Sequence, residues 1–176
     1  MSIHLDAKVE PEPLQEQIET MYLDRGVVRA GEPFRVSVRL RQEYGGIHYE
    51  TFNVEVPRSW AGGEVELFAL SAIDATRLAE EIEGRPRPNS LKQIARYLNK
   101  HRGDGHVYFM AVRRGASLST EVDTHAFLPP SAVAIFGGGS PYANGRLRGL
   151  ALEERRRRPG VVVGGARLQL KVEQPL

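Results

Sequence analysis

The sequence predicts a mainly β domain, an antiparallel immunoglobulin-like sandwich with two inserted helices, and three observations carry that prediction. First, Phe34, Val36, Val38 and Leu40 alternate with Arg35, Ser37, Arg39 and Arg41; after Tyr44-Gly45-Gly46, Phe52, Val54 and Val56 alternate with Thr51, Asn53 and Glu55. Period-two alternation on both sides of a glycine turn is a β-hairpin with one dry face. Its outer arginines are placed to meet Glu55 across the strands. Second, further short alternating or apolar runs recur along the chain between glycine and proline punctuation. Third, the two helices that the spacing predicts fall between Asp74 and Arg102, with SAVAIF after Pro129-Pro130 read as a capped turn of helix or a short buried segment. A split α+β arrangement with a partly open barrel is the alternative.

In order, residues 1–26 are read as N-terminal strands. Ile3, Leu5, Ala7 and Val9 form an edge strand, Pro11 and Pro13 interrupt any ladder, and Ile18 to Leu23 is a second strand. Residues 27–72 hold the core hairpins, from turns around Val27-Val28, through the central hairpin that Pro57 stops, to a strand over Glu64 to Ser71. Phe68 to Leu70 is apolar in succession, so the end of that strand is covered on both faces. Trp60, in the connection, is read as a core plug rather than a ligand platform, because so large an apolar surface is costly to leave wet.

Residues 73–102 form the helical insertion. Asp74 caps a helix through Leu78, Ala79 and Ile82 that Gly84 and Pro86 terminate. Pro88-Asn89-Ser90 caps a second, whose Leu91, Ile94, Ala95 and Leu98 define a buried face, with Lys92, Arg96 and Lys100 in an outer row. Residues 103–176 supply the C-terminal strands: Val107 to Val112 as a central strand, Ser117 to Val122 returning beside it through a turn at Arg113-Arg114-Gly115, and strands at Val161 to Val163 and Ala166 to Val172. Between them, residues 137–160 read as a long glycine- and arginine-rich loop.

Composition bounds function more than it specifies it. With 41% hydrophobic and 26% charged residues the chain is that of a globular protein, and it contains no cysteine, which removes disulfides, thiolate metal sites and a cysteine nucleophile. No apolar run approaches the length of a membrane span, and the amino terminus has neither a basic leader nor an apolar signal core. The net charge of +2 hides an asymmetry: residues 1–84 carry 8 Lys+Arg against 16 Asp+Glu, a net −8, and residues 85–176 carry 16 against 6, a net +10. Such a basic half is either a surface for nucleic acid or another polyanion, or a set of charges neutralised across the fold.

Motifs with chemistry are sparse. GGGSP at 137–141 offers flexible glycines around Ser140, with His125 and Asp123 as the nearest base and orienting group along the chain, which makes a serine hydrolase a distant third reading. The five histidines show no metal-ligand spacing, and neither a P-loop nor a dinucleotide fingerprint occurs, so neither a metal nor a cofactor is expected. The strongest local charge is Glu153-Glu154 followed by Arg155, Arg156, Arg157 and Arg158. This run either binds a polyanion by releasing counterions or forms a solvated loop paired to its own glutamates.

The order of segments carries a resemblance. VVRAGEPFRVSVRLRQEYGG, FNVEVPRSWAGGEVELFALS, RPNSLKQIARYLNK, FLPPSAVAIF and VVVGGARLQLKV, spanning roughly Val27 to Val172, resemble the β-rich region that follows the catalytic part of bacterial SpoIVB-type serine peptidase domain-containing proteins. The resemblance implies a non-catalytic accessory module of exported, envelope-associated proteins; as a structural or protein-binding module it would act through its surface and sheet edges, with a peptide paired at an edge as one mechanism, because an antiparallel edge offers unpaired backbone groups. The peptidase's serine motif and upstream histidine have no counterpart here, and Arg155 to Pro159 is more basic than that pattern. Envelope or extracellular location follows if the region belongs to an exported parent, and cytoplasmic location if Met1 is the native start. The competing expectation is a basic-surface nucleic-acid or polyanion binder using Lys92, Arg96, Lys100 and Arg155 to Arg158.

Overall fold

The computed structural model describes residues 15–43, 45–83, 90–92, 94–95, 102–119, 124–125 and 144–175. In chain order these form β1 (Gln15–Leu23), β2 (Val28–Arg29), β3 (Pro33–Gln42), β4 (Ile47–Glu55), a 3-10 turn (Arg58–Trp60), β5 (Glu64–Leu70), α1 (Ala72–Glu83), β6 (His106–Ser119), β7 (Thr124–His125), β8 (Asn144–Arg157), β9 (Val161–Val163) and β10 (Gly165–Glu173). One sheet has the order β4-β3-β1-β9. The other runs β2-β10-β5-β6; β8 pairs along one edge of β6, and β7 pairs beyond the end of β5 on the opposite edge.

The alternation that predicts the hairpin also builds the core. Phe34, Val36, Val38 and Leu40 of β3, with Phe52 and Val54 of β4, turn inward against Val65, Leu67 and Ala69 of β5 and Val107, Phe109 and Ala111 of β6. The Phe52 and Phe109 rings stack at 5.1 Å between the sheets, and Trp60 is the expected plug. Consecutive burial from Val107 to Val112 has a second cause. Tyr108 and Met110 point to the opposite face, where Ala72, Ala75 and Ala79 of α1 pack on them together with Leu70. The end of β5 is therefore covered on both sides, as its unbroken apolar run requires.

The immunoglobulin-like sandwich does not hold. The two sheets are open, curled half-barrels that share a corner: β9 pairs in parallel with β1 in the first sheet, and one residue later β10 pairs with β5 in the second. Gly164 makes that corner at φ +80°, and a Cβ there would lie 3.4 Å from the Ile18 carbonyl oxygen. A side chain is strained at such a φ, so the glycine lets one continuous segment serve both sheets. A second parallel pairing, β10 with β2, further departs from an antiparallel sandwich.

Of the two inserted helices expected, the described residues hold one, α1. In α1 the cap is Ser71 rather than Asp74: Ser71 Oγ accepts the Asp74 N–H at 3.3 Å and donates to Asp74 Oδ2 at 2.9 Å, a reciprocal capping arrangement. A helical turn follows at Leu91-Lys92 and Ile94-Ala95, but Leu91 and Ile94, expected to be buried, are 85% and 40% exposed. The hairpin arginines also find a different partner. Arg35 faces Asn53, while Arg39 and Arg41 both reach Glu19 of β1, the extra residue of a bulge between Ile18 and Thr20.

The largest correction concerns residues 137–160. Asn144–Arg157 is not loop but β8, a 14-residue strand paired with β6. The supposed turn at Arg113-Arg114-Gly115 is correspondingly the interior of β6, which absorbs the sequence in a register shift between Arg114 and Ser117. The N-terminal strand expected over Ile3 to Val9, and the segment from Pro129 to Phe136, lie outside the described residues.

Candidate polyanion-binding surface

β8 and β6 form a long antiparallel ribbon, and β8 pairs with no other strand among the described residues. The two strands carry Arg113, Arg114, Arg146, Arg148, Arg155, Arg156 and Arg157 against Glu153 and Glu154, a net charge of +5. Pairing sets Arg114 opposite Arg148 and Ser117 opposite Arg146, so the basic residues accumulate on adjacent strands. Reading residues 113–115 as a turn and 137–160 as a loop hides this. The two strands share a length of 14 residues and both carry arginines, but no apolar alternation marks either arginine-bearing stretch as a strand.

The strand geometry divides the run Arg155 to Arg158 into three fates. Arg155 and Arg157 oppose Tyr108 and His106, one face of the ribbon; both are exposed, and neither has an ion-pair partner among the described residues. Arg156, one residue out of phase, turns toward the mouth of the core, with its guanidinium 5.3 Å from the Phe52 ring centroid and 3.7 Å from Glu154. Glu153 is held elsewhere, in a two-pronged pair with Arg102 at 2.9 and 2.7 Å. Self-neutralisation of the run by its two glutamates therefore reaches Arg156 alone.

Arg158 is removed from any ligand surface. Its Nε donates to Glu16 Oε2 at 2.7 Å and its Nη2 to Glu16 Oε1 at 2.8 Å, while Nη1 donates to Glu50 Oε1. Gln42 Nε2 completes the cluster by donating to Glu16 Oε1 at 3.2 Å. Glu16 is fully buried, and the Arg158 guanidinium holds its carboxyl below the usual range against the opposing pull of burial. The same contact holds the Arg158 guanidinium above its ordinary value. This bidentate pair links the end of β8 to β1 and β4, and so closes the seam between the two half-barrels.

Of the other expected basic positions, Lys92 is exposed, and Arg96 and Lys100 lie outside the described residues. Their alignment into one row with Lys92 is not on display. Ser140 and Asp123 also lie outside the described residues, and His125 belongs to β7, opposite Leu118. Among the described residues no group of three or more His, Asp or Glu is arranged to hold a metal ion, and no helix is long and apolar enough to cross a membrane.

No family model, curated protein or solved structure matches this chain. The surface is therefore read from its own chemistry. Neutralisation across the fold accounts for Arg158, paired with Glu16 and Glu50, and for Arg167, paired with Glu66. It does not reach Arg155 and Arg157.

Proposed function

We propose that this protein is a nucleic-acid-binding module that holds a phosphate backbone along the basic β6–β8 ribbon, acting by binding rather than by catalysis. The observation that supports this most directly is the pair Arg155 and Arg157: same face, adjacent in the period-two pattern, exposed, and without acidic partners among the described residues. Guanidinium groups in that state are ready donors to phosphate oxygens, and each phosphate neutralised releases condensed counterions. The arrangement is economical, because Arg158 fixes the strand end that presents them.

The test is fluorescence anisotropy with a labelled 20-nucleotide probe. Replacing Arg155 and Arg157 together by alanine weakens binding at least ten-fold at low salt while leaving thermal stability unchanged. Lys171→Ala, which removes an exposed charge from β10 instead, leaves binding within two-fold. Equal loss in both variants would reduce the interaction to undirected charge attraction.

A second reading has its own support. β4 and β8 each present one edge with no strand partner among the described residues, which suits addition of a peptide strand. It would suit an accessory module of the kind that the resemblance to SpoIVB-type regions, resting on segment order, implies. A protein partner captured through β4 would be insensitive to the Arg155 and Arg157 replacements.

A further inference from the structure

The outer face of the β4-β3-β1 sheet carries a second chemistry. Tyr22, Tyr49 and Ile47 are 47%, 60% and 46% exposed, and all three project from this one face. Tyr49 lies opposite Arg39, which lies opposite Thr20; on the next outward row, Thr51 lies opposite Ser37, which lies opposite Tyr22. The two tyrosines are thus diagonal across β3, two strands apart and one outward row displaced, about 12 Å between Cα atoms from ordinary sheet spacings. Each ring has room for its own planar partner. Around them stand the hydroxyls of Ser37, Thr20 and Thr51 and the amide of Asn53.

The charge on this face is basic. Arg35, Arg39 and Arg41 stand against Glu19 and, at the far end of the hairpin, Glu55. Glu19 is shared between Arg39 and Arg41, while Arg35 has no ion-pair partner among the described residues. Arg158 reaches Glu50 and Arg156 reaches Phe52, both on the inward row of β4, so the end of β8 meets this sheet from its core side, whereas Arg155 and Arg157 lie on the α1 side of the ribbon; the outer sheet face is a second surface, distinct from theirs.

We infer that this sheet face is a stacking platform on which Tyr22 and Tyr49 each take an unpaired base, so that the ligand is single-stranded nucleic acid. Exposed aromatic rings interleaved with arginines and short hydrogen-bonding side chains match what unpaired bases and their backbone offer: a π-face, an edge and a phosphate. A duplex hides its base faces and would gain nothing from the tyrosines. The inference rests on the nucleic-acid reading above, and it adds the class of nucleic acid and a second set of contact residues.

The experiment compares a single-stranded oligothymidylate of 20 nucleotides, a duplex of the same length and inorganic polyphosphate on the full chain. Its variants are Tyr22→Ala, Tyr49→Ala and the Arg155→Ala/Arg157→Ala pair. Both tyrosines are exposed, so their removal leaves the fold intact, and circular dichroism checks this. The single strand binds more tightly than the duplex or polyphosphate, and each tyrosine variant loses about five-fold or more for the single strand, the effect of one lost stack of about 1 kcal/mol. Neither tyrosine variant changes duplex or polyphosphate binding. If the tyrosine variants bind the single strand as well as the parent while the arginine variant fails, the platform is overturned and the ribbon reading stands. If the tyrosine variants fail and the arginine variant does not, the platform stands and the ribbon reading falls. No binding to any of the three probes overturns both.

Discussion

Arg158 and its three neighbours in sequence have the same side chain and different surroundings, and the difference is set by the strand they end. Arg155 and Arg157 keep their guanidinium groups in solvent, whereas Arg158 places both prongs on the buried carboxylate of Glu16 and a third bond on Glu50. Removing one partner of such a pair leaves a poorly solvated charge, so Glu16→Gln and Arg158→Ala each destabilise by about 3 kcal/mol in urea unfolding. A Glu16→Leu/Arg158→Met double replacement costs less than the sum of the two single ones. The Glu16 carboxyl is held below its unfolded-state value, so its contribution is fully present above the ordinary glutamate range and is lost as the pH falls through the depressed value. Urea midpoints measured down a pH series fall more steeply for the parent than for Glu16→Gln, whose stability lacks this component. No local pattern marks Glu16 as the anchor. Its partner is 142 residues away, and an alternating strand that places a glutamate on its dry face looks from sequence like a strand out of phase.

At the scale of elements, the corner between β9 and β10 carries the shape of the molecule. Gly164 sits at φ +80° with the Ile18 carbonyl close behind it, so Gly164→Ala costs about 1–2 kcal/mol for the left-handed backbone and more if the carbonyl cannot give way. A matched Gly26→Ala, at an open position without positive φ, stays near the parent stability. Elements were legible where the sequence states both faces. Phe34 to Leu40 shows one dry and one wet face, and Val107 to Val112 shows two dry ones; β3 and the first half of β6 follow. β8 was not legible, because glycines, arginines and glutamates have little intrinsic strand preference, and what holds them extended is the ladder with β6. The same reason hides the candidate site. Arg155 to Arg158 stand out as a run, but their division into exposed, stacked and buried members needs the strand phase.

Across the whole molecule, one apolar cluster is shared by both curled sheets, and a polar substitution in it is felt by both. Val38, fully buried at the centre of β3, is a direct probe: Val38→Asp buries an unpaired carboxylate and costs more than about 3 kcal/mol, read as loss of the cooperative urea transition or of soluble protein. The acidic first half and basic second half are partly neutralised through the core seam and at the Arg167–Glu66 pair. Arg155 and Arg157, on the β6–β8 ribbon, are left exposed and without an acidic partner among the described residues. We propose these two arginines as the centre of a phosphate-binding surface. Its most direct test is the slope of log binding constant against log salt for a single-stranded oligonucleotide, in the parent and in Arg155→Ala/Arg157→Ala. Counterion release by two lost contacts makes the variant's slope shallower by about 1.4. A parent whose binding does not change with salt, or a variant whose slope equals the parent's, contradicts phosphate binding by Arg155 and Arg157.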